Sequence, residues 1–263
     1  FVMGIADSEF ASSEIAYSET IVVYLRAAQK DSAVIAIVLR ISSPGGSVVA
    51  SREIYDEILA MRNKGKPIVA SFGEVAASGG YYIASAADKI YAHPATLTGS
   101  IGVISVLPNL EGLAEKIGVK MIVVKSGPHK DESYGFRDLT PAERAIWQKL
   151  IDEAYEDFVG IVATGRKMDV AKVKTLADGR IYTGKQAKEL GLADELGNLD
   201  TAVDAAAKLG KISGTPRKIE FRRQPGFFES LGVQVTPQGL PADLLDSILA
   251  RHWGRPMYLY VAP

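Results

Sequence analysis

The sequence predicts an α/β protein built on a parallel β-sheet. Three runs are short, rich in β-branched side chains and almost free of charge: residues 34–39, 67–72 and 119–124. Strands of this composition are typical of parallel sheets that helices cover on both faces. Between the first two runs, Ile54, Ile58 and Met61 recur at helical spacing. The order strand, helix, strand is that of a crossover between parallel strands.

Turn residues place the ends of the predicted helices. Ser47 is the predicted N-cap of the first crossover helix, and Gly65 ends that helix before Pro67. Residues 110–117 predict a second crossover helix, which Gly118 ends. That helix leads into the third apolar run.

Two capping boxes begin later helices. Thr140 and Glu143, with Pro141 at the first helical position, start a long helix, and Thr183 with Gln186 starts a short one. The long helix carries an apolar stripe that predicts packing on the core. The stripe consists of Trp147, Leu150, Ile151, Ala154, Phe158 and Val162.

The composition changes near residue 212, where proline, glycine and a basic cluster appear. The cluster consists of Arg217, Lys218, Arg222 and Arg223. We expect a catalytic domain over residues 1–211 and a C-terminal extension over residues 212–263, packed on the core or on a neighbouring subunit. Because the basic residues alternate with Ile219 and Phe221, they favour a solvated edge strand over an anion or lipid-headgroup site.

Composition excludes several classes of function. Thirty basic and 31 acidic residues give a net charge of −1, so no nucleic-acid partner is expected. The absence of cysteine excludes disulfides, thiol catalysis and cysteine metal sites, and three scattered histidines match no zinc motif, so we expect no zinc site. No run reaches the roughly 18 apolar residues of a transmembrane helix. Because the sequence begins at Phe1, a signal or membrane anchor is expected upstream.

The stretch VAASGGYY, residues 75–82, places a lone hydroxyl directly after a predicted strand. Ser78 permits two interpretations: an N-cap of the following helix, which stabilises it by about 1 kcal/mol, or a nucleophile. In the second interpretation the N–H groups of Gly79 and Gly45 form an oxyanion hole. One turn can serve both purposes.

A serine nucleophile requires a base, and the sequence offers more than one. His93 and His129 could act in a triad, but neither lies beside an obvious orienting carboxylate. Lys130 lies in a polar loop after the third apolar run. A lysine in such a loop is usually solvated, so spacing alone does not choose among the three.

Five motifs, in this order, resemble the signal peptide peptidase SppA family of serine proteases. They are SPGGSV at 43–48, ASGGYY at 77–82, TGSIGV at 98–103, GPHKD at 127–131 and DGRIYTG at 178–184. The resemblance covers about residues 30–200. It implies a fold of the Clp protease/crotonase type, a repeated ββα superhelix around a parallel sheet, and a Ser/Lys dyad without a cofactor.

Carried over by motif, the resemblance makes Ser78 the nucleophile and Lys130 the general base. Ser100 corresponds to the hydroxyl that positions the lysine, and Gly45 and Gly79 to the oxyanion donors. The sequence departs from the family in two places. Ser42 stands where asparagine often precedes SPGG, and Tyr134-Gly135 replaces a common Ser-Pro. Both departures lie outside the dyad and affect substrate preference and loop conformation.

The resemblance also implies substrates, assembly and location. Family members digest signal peptides left in the membrane, and long members carry tandem copies of the domain with the serine and the lysine in different repeats. A short, single-domain chain is therefore expected to form a homo-oligomeric ring, with Ser78 of one subunit beside Lys130 of its neighbour. We expect the catalytic domain to be extracytoplasmic and membrane-associated.

Two other functions remain open on the sequence. A crotonase-type enzyme acting on acyl thioesters would share the oxyanion arrangement without needing Ser78 or Lys130. A catalytically silent scaffold would retain the fold and use Ser78 only as a helix cap.

Overall fold

The computed structural model describes residues 2–5, 18–221 and 257–259 of the chain. Its strands are β1 (Val2–Ile5), β2 (Ile37–Ser43), β3 (Gly45–Ser47), β4 (Ile68–Ala77), β5 (Lys89–Ala92), β6 (Leu97–Gly99), β7 (Ile181–Thr183), β8 (Glu195–Leu196), β9 (Glu220–Phe221) and β10 (Met257–Leu259). Its helices are α1 (Ser18–Lys30), α2 (Val48–Asn63), α3 (Gly79–Ala84), α4 (Glu111–Lys116), α5 (Pro141–Arg166), α6 (Val170–Leu176), α7 (Gly184–Glu189) and α8 (Leu199–Leu209).

The chain divides into two compact units. The first, here called the sheet unit, comprises Phe1–Gly102, Glu156–Gln224 and Tyr258–Pro263. The second, the loop unit, comprises Val103–Tyr155 and Pro225–Met257. Most of the C-terminal extension predicted from the sequence lies outside the described residues, so its boundary stays a prediction.

The sheet unit is organised around a mostly parallel sheet in the order β7-β6-β4-β2-β1-β9. The long strand β4 pairs with β5 along its first half and with β6 along its second half. The β6–β7 pair is antiparallel, and β5 also pairs with β8, in parallel. A separate two-stranded sheet joins β3 and β10. The predicted α/β fold with a parallel sheet of the Clp protease type is confirmed.

Helices cover both faces of the central strands, as their uniform apolar composition predicts. Side chains of successive strand residues point to opposite faces. Val38 and Val69 accordingly pack with Ala202 and Ala206 of α8, whereas Phe72 contacts the ring of Tyr81 in α3. The core therefore lies on both sides of β2 and β4.

A bulge bends β4 just before the VAASGGYY stretch. The β2–β4 register passes from Ile41 opposite Phe72 to Ser43 opposite Ala76, so β4 has two more residues than β2 in this interval. At Gly73, a Cβ atom would lie 2.8 Å from the Cβ of Ser42, so only glycine permits this approach. Bulges of this kind redirect the end of a strand.

Most of the local predictions hold. Ser47 occupies the N-cap position of α2, as predicted, but its side chain makes no capping hydrogen bond, and Gly65 has φ +89° just beyond the end of the helix. Both capping boxes are present, at Thr140–Glu143 and at Thr183–Gln186. The apolar stripe of α5 packs on the core only in its C-terminal half, because Phe158 is buried whereas Leu150 is 44% exposed.

The strand predicted at residues 119–124 is wrong. These residues form no strand, and Ile122 and Val124 are 84% and 95% exposed. A parallel strand is held by hydrogen bonds to a neighbouring strand, and no strand in the described part of this chain pairs with the segment. This apolar, β-branched segment therefore has no partner strand within the described ranges.

Across these ranges, no helix has the length and apolar content that crossing a membrane requires.

Candidate active site

Ser78 occupies a sharp turn between β4 and α3. Its backbone has φ 53° and ψ −118°, a sparsely populated conformation for a residue with a side chain. Its N–H donates to Gly99 O at 2.8 Å, and its carbonyl accepts the N–H of Tyr82 at 2.8 Å. The turn thus extends the β4–β6 ladder on one side and starts the helix on the other. A strained strand-to-helix turn is the setting in which α/β-hydrolases present a nucleophilic serine.

The hydroxyl of Ser78 does not cap α3. Ser78 is at the N-cap position, but its side chain makes no capping hydrogen bond. The residue is fully buried, and its Oγ has no hydrogen-bond partner in the described part of the chain. Burying a hydroxyl without a partner costs about 1–3 kcal/mol. Of the two interpretations of Ser78, the structure favours a role for the hydroxyl other than capping.

Helix α3 is anchored by its two tyrosines. Tyr81 donates its hydroxyl to Leu192 O at 2.8 Å, and burial raises its pKa. Tyr82 donates to Asp157 Oδ2 at 2.6 Å, and its ring lies 5.4 Å from that of Tyr55. Since every residue of α3 is buried, these contacts hold the Ser78 turn in place.

The SPGG loop lies directly against Gly79. A Cβ on Gly79 would lie 2.6 Å from Ser51 Oγ, 3.1 Å from Gly46 N and 3.3 Å from Gly45 Cα. Gly45 has φ +121°, and its N–H donates to Ser43 Oγ at 3.2 Å. The structure therefore brings both predicted oxyanion donors, Gly45 and Gly79, to one place beside Ser78.

Ser100 lies in a second strained turn, adjacent to the first. It has φ 47°, follows Gly99 at φ +81°, and is 7% exposed. Its N–H donates to Arg180 O at 2.8 Å. Because Ser78 donates to the carbonyl of Gly99, the residue just before Ser100, one hydrogen bond couples the two serine turns.

Lys130 belongs to the loop unit and is exposed in the single chain. Its N–H donates to Gly127 O at 3.3 Å within a tight turn. The neighbouring Asp131 is 7% exposed, and its carboxylate accepts from Lys125 and Arg137, so it is already paired. The sheet unit thus gathers Ser78, Gly79, Gly45 and Ser100, while the fifth predicted residue lies in the other unit.

The two histidines considered as bases take part in local contacts. His93 Nδ1 accepts the N–H of Ala95 at 3.2 Å, which fixes the turn that follows it. His129 Nδ1 lies 3.6 Å from Glu143 Oε1, within the loop unit.

One group of side chains in the loop unit resembles a metal site in its spacing. Ligand atoms of His129, Glu132 and Glu143 lie within 4.8 Å of one another. However, both oxygens of Glu143 already accept hydrogen bonds from Arg137, and one also accepts from Thr140. A cation bound there would have to displace this guanidinium, so the arrangement is that of an ion pair.

Sequence reasoning missed Arg137. This residue donates to Asp131 and to Glu143, which lie six positions before and six positions after it. The symmetrical spacing about an arginine, ending at the glutamate of a capping box, is a signal that the sequence contains. The sequence does not show that these residues are in contact, because the contacts form only when the Lys130 loop folds back on the start of α5.

Comparison with known proteins identifies the chain. The profile of "Peptidase family S49" matches residues 60–213, and that of "Clp protease" matches residues 10–98. A candidate protease of Synechocystis is 51% identical over 186 residues, covering 71% of this chain and 66% of the relative. A candidate signal peptide peptidase SppA of Enterococcus faecium is 38% identical, covering 97% of this chain and 76% of the relative.

A third relative is the chloroplastic serine protease SPPA of Arabidopsis thaliana. It is 38% identical over 197 residues, which are 74% of this chain but only 29% of the relative. The chain thus spans between about a third and three quarters of the length of these proteins. Fold and matches together define a serine protease with the Clp protease fold. The chain belongs to peptidase family S49.

Proposed function

We propose that this chain is an endopeptidase that cuts extended, apolar peptides, signal peptides among them, with Ser78 as nucleophile and Lys130 as general base. The observation that carries the proposal is the hydroxyl of Ser78: it is buried, lies on a strained strand-to-helix turn, and is not used as a cap. Membership of a serine protease family supplies the reaction.

In this mechanism Ser78 Oγ attacks the scissile carbonyl while the neutral amine of Lys130 takes the hydroxyl proton. The N–H groups of Gly79 and Gly45 stabilise the oxyanion that forms, and the Gly45 N–H exchanges its hydrogen bond to Ser43 Oγ for this one. The lysine ammonium then gives its proton to the leaving amine, and water hydrolyses the acyl-enzyme in a second step. Ser100 positions the lysine amine, in keeping with its place beside the Ser78 turn.

The lysine can act as a base only where water is excluded, because burial favours the neutral form of an amine. Lys130 is exposed in the single chain. We infer that a second copy of the chain covers it in a closed ring and brings it to Ser78 of that neighbour. A head-to-tail interface that closes by rotation produces such a ring.

The exposed apolar segment at residues 119–124 supports the same inference. Its composition is that of a buried strand, yet Ile122 and Val124 are almost fully exposed in one chain. Large exposed apolar patches mark interaction sites. The segment lies only a few residues before Lys130, so a neighbour that covers one is well placed to cover the other.

Substrates are expected to bind as an added strand beside the SPGG loop. Strand β3 contains Gly45 and pairs with β10 on one edge; among the described strands its other edge has no partner and is open to an extended segment of chain. Backbone hydrogen bonds of this kind hold a peptide independently of its sequence, and pockets for alternate side chains add selectivity. Signal peptides are apolar and remain in membranes, so we place this activity at a membrane surface.

The test is digestion of an apolar, signal-like peptide by the intact chain and by Ser78→Ala, analysed by mass spectrometry. We expect internal cleavage by the wild type only, and covalent labelling of Ser78 by a fluorophosphonate. Tight binding of a CoA thioester without labelling would favour the acyl-thioester enzyme instead. A folded chain that neither cleaves nor labels would favour the silent scaffold.

A further inference from the structure

A network of charged side chains holds the loop that carries Lys130. Asp131, which follows the lysine, is 7% exposed. Its Oδ1 accepts from Lys125 Nζ at 2.6 Å and from Arg137 Nη2 at 2.6 Å, and its Oδ2 accepts from Arg137 Nε at 3.2 Å. Charge-assisted, two-pronged contacts of this kind fix orientation as well as adding energy.

Arg137 also joins this loop to the start of α5. Its Nη1 and Nη2 donate to the two oxygens of Glu143 at 2.8 and 2.6 Å. Glu143 is 2% exposed and completes the capping box with Thr140. Hydrogen bonds from Arg137 hold the pKa of both carboxyls, Asp131 and Glu143, well below the ordinary range. Both therefore stay charged and bound to the guanidinium at neutral pH.

The network matters to Lys130 because of the charges around its loop. His129 and Glu132 lie on the same loop, and Lys125 and Glu143 face it from the preceding segment and from α5. A carboxylate within about 4–6 Å of an amine favours the ammonium form, which is useless as a base. Asp131 is the nearest carboxylate in sequence, and Arg137 and Lys125 occupy its oxygens.

We propose that Arg137 is a positioning residue for the reaction: it binds Asp131 to Glu143 and so keeps the Asp131 carboxylate from pairing with the Lys130 amine. The inference rests on the proposed function of Lys130. It assigns Arg137 no contact with the substrate or with Ser78. It accounts for two of the three carboxylates around the loop, Asp131 and Glu143.

The test is a double-mutant cycle with Arg137→Gln and Asp131→Asn, read as kcat/KM against pH. Arg137→Gln removes two of the three hydrogen bonds to Asp131 and leaves Oδ2 available to the Lys130 amine, with only Oδ1 held by Lys125. We therefore expect the rising limb of the profile to move up by about one pH unit or more, and activity at pH 7 to fall about tenfold. In the double variant the charge is absent. We therefore expect the limb to return toward its wild-type position. At pH 7 the kcat/KM of the double variant should be at least fivefold higher than that of Arg137→Gln.

The kcat/KM of Asp131→Asn alone should stay within about threefold of the wild-type value, since this substitution adds no competing charge. Arg26→Gln is the matched control, because Arg26 is exposed and pairs with Glu57 away from this loop. A double variant as slow as Arg137→Gln, with its limb unmoved, would mean that Arg137 only supports the fold. If Arg137→Gln fails to fold, Arg137→Lys with and without Asp131→Asn makes the same comparison.

Separate measurements test the proposed function. Full activity of Lys130→Ala would remove the lysine base, and the inference would fall with it. An inactive Lys130→Ala beside a wild-type-like profile of Arg137→Gln would overturn the inference alone. Circular dichroism of each variant checks that the chain stays folded.

Discussion

The two proposed halves of the dyad are held by opposite means. Ser78 is fully buried on a turn fixed by backbone hydrogen bonds and by tightly packed rings and glycines. Lys130 is exposed, on a loop fixed by a network of charges. The serine turn is complete within one chain. The lysine loop is oriented within one chain, but lacks the dry surroundings that its chemistry requires.

Under the proposed mechanism, this difference indicates which unit depends on a neighbouring subunit. Within the described residues, the strands of the sheet unit pair with each other, and helices cover both faces of its central strands. The loop unit leaves apolar residues and the lysine in water. If a neighbouring subunit covers them, assembly itself lowers the barrier for proton transfer, and the free subunit stays inactive toward cellular peptides.

The largest effect is expected from replacing the lysine. Lys130→Ala and Lys130→Arg should each lower kcat/KM by at least about 10³-fold, because neither side chain can take the serine proton and an arginine does not deprotonate. Peptide cleavage followed by mass spectrometry measures the loss.

Lys149→Ala and Lys149→Arg are the matched controls, since Lys149 is an exposed residue of the same unit, outside the 119–124 segment. They should cleave at the wild-type rate. A folded Lys130→Ala chain that keeps wild-type turnover would transfer the role of base to another group.

The next effect tests whether the dyad spans two copies. Ser78→Ala and Lys130→Ala are each expected to be inactive. When the two are co-refolded in equal amounts, up to about a quarter of wild-type activity should return. This is the share of interfaces at which an intact serine meets an intact lysine. Light scattering gives the size of the assembly. A mixed oligomer that forms and stays inactive would place both residues of the dyad in one chain.

The contrast between the two regions also explains what the sequence could predict. Ser78, Gly79 and the SPGG loop were predictable because strand ends, turn glycines and the order of motifs fix them locally. The segment at 119–124 was predicted as a strand because its composition is typical of a buried strand, and composition does not say whether a neighbouring strand is present to pair with it. The role of Arg137 could not be derived, because it depends on contacts made by the folded loop.

A smaller effect is expected at Gly79. In Gly79→Ala the new Cβ would lie 2.6 Å from Ser51 Oγ and 3.1 Å from Gly46 N, so the SPGG loop must move. We expect a loss of about 1–3 kcal/mol in the free energy of unfolding and about a tenfold loss in kcat/KM.

Gly160→Ala is the control for this substitution. Gly160 lies inside α5, and a Cβ there would meet nothing within 4 Å, so the change should leave activity unaltered and raise stability by about 0.5–1 kcal/mol. Urea unfolding and peptide cleavage are measured for both variants. Equal behaviour of the two would show that the loop does not need this close approach.

The smallest effect concerns the response of the loop unit to acid. Since Arg137 lowers the pKa of Asp131 and Glu143, the folded chain binds fewer protons than the unfolded chain once the pH falls to the ordinary carboxyl range. The stability that these carboxyls contribute is therefore present above about pH 5 and is lost progressively as the pH falls toward about 2.

Glu143→Gln keeps the capping hydrogen bonds but removes one of the two titrating groups, so its unfolding free energy should fall less steeply over this interval. Glu156→Gln, at an exposed glutamate paired with Lys174, should follow the wild-type slope. Urea titrations at several pH values give these slopes, and parallel curves for Glu143→Gln and the wild type would show that the charge network around Arg137 does not stabilise the folded loop.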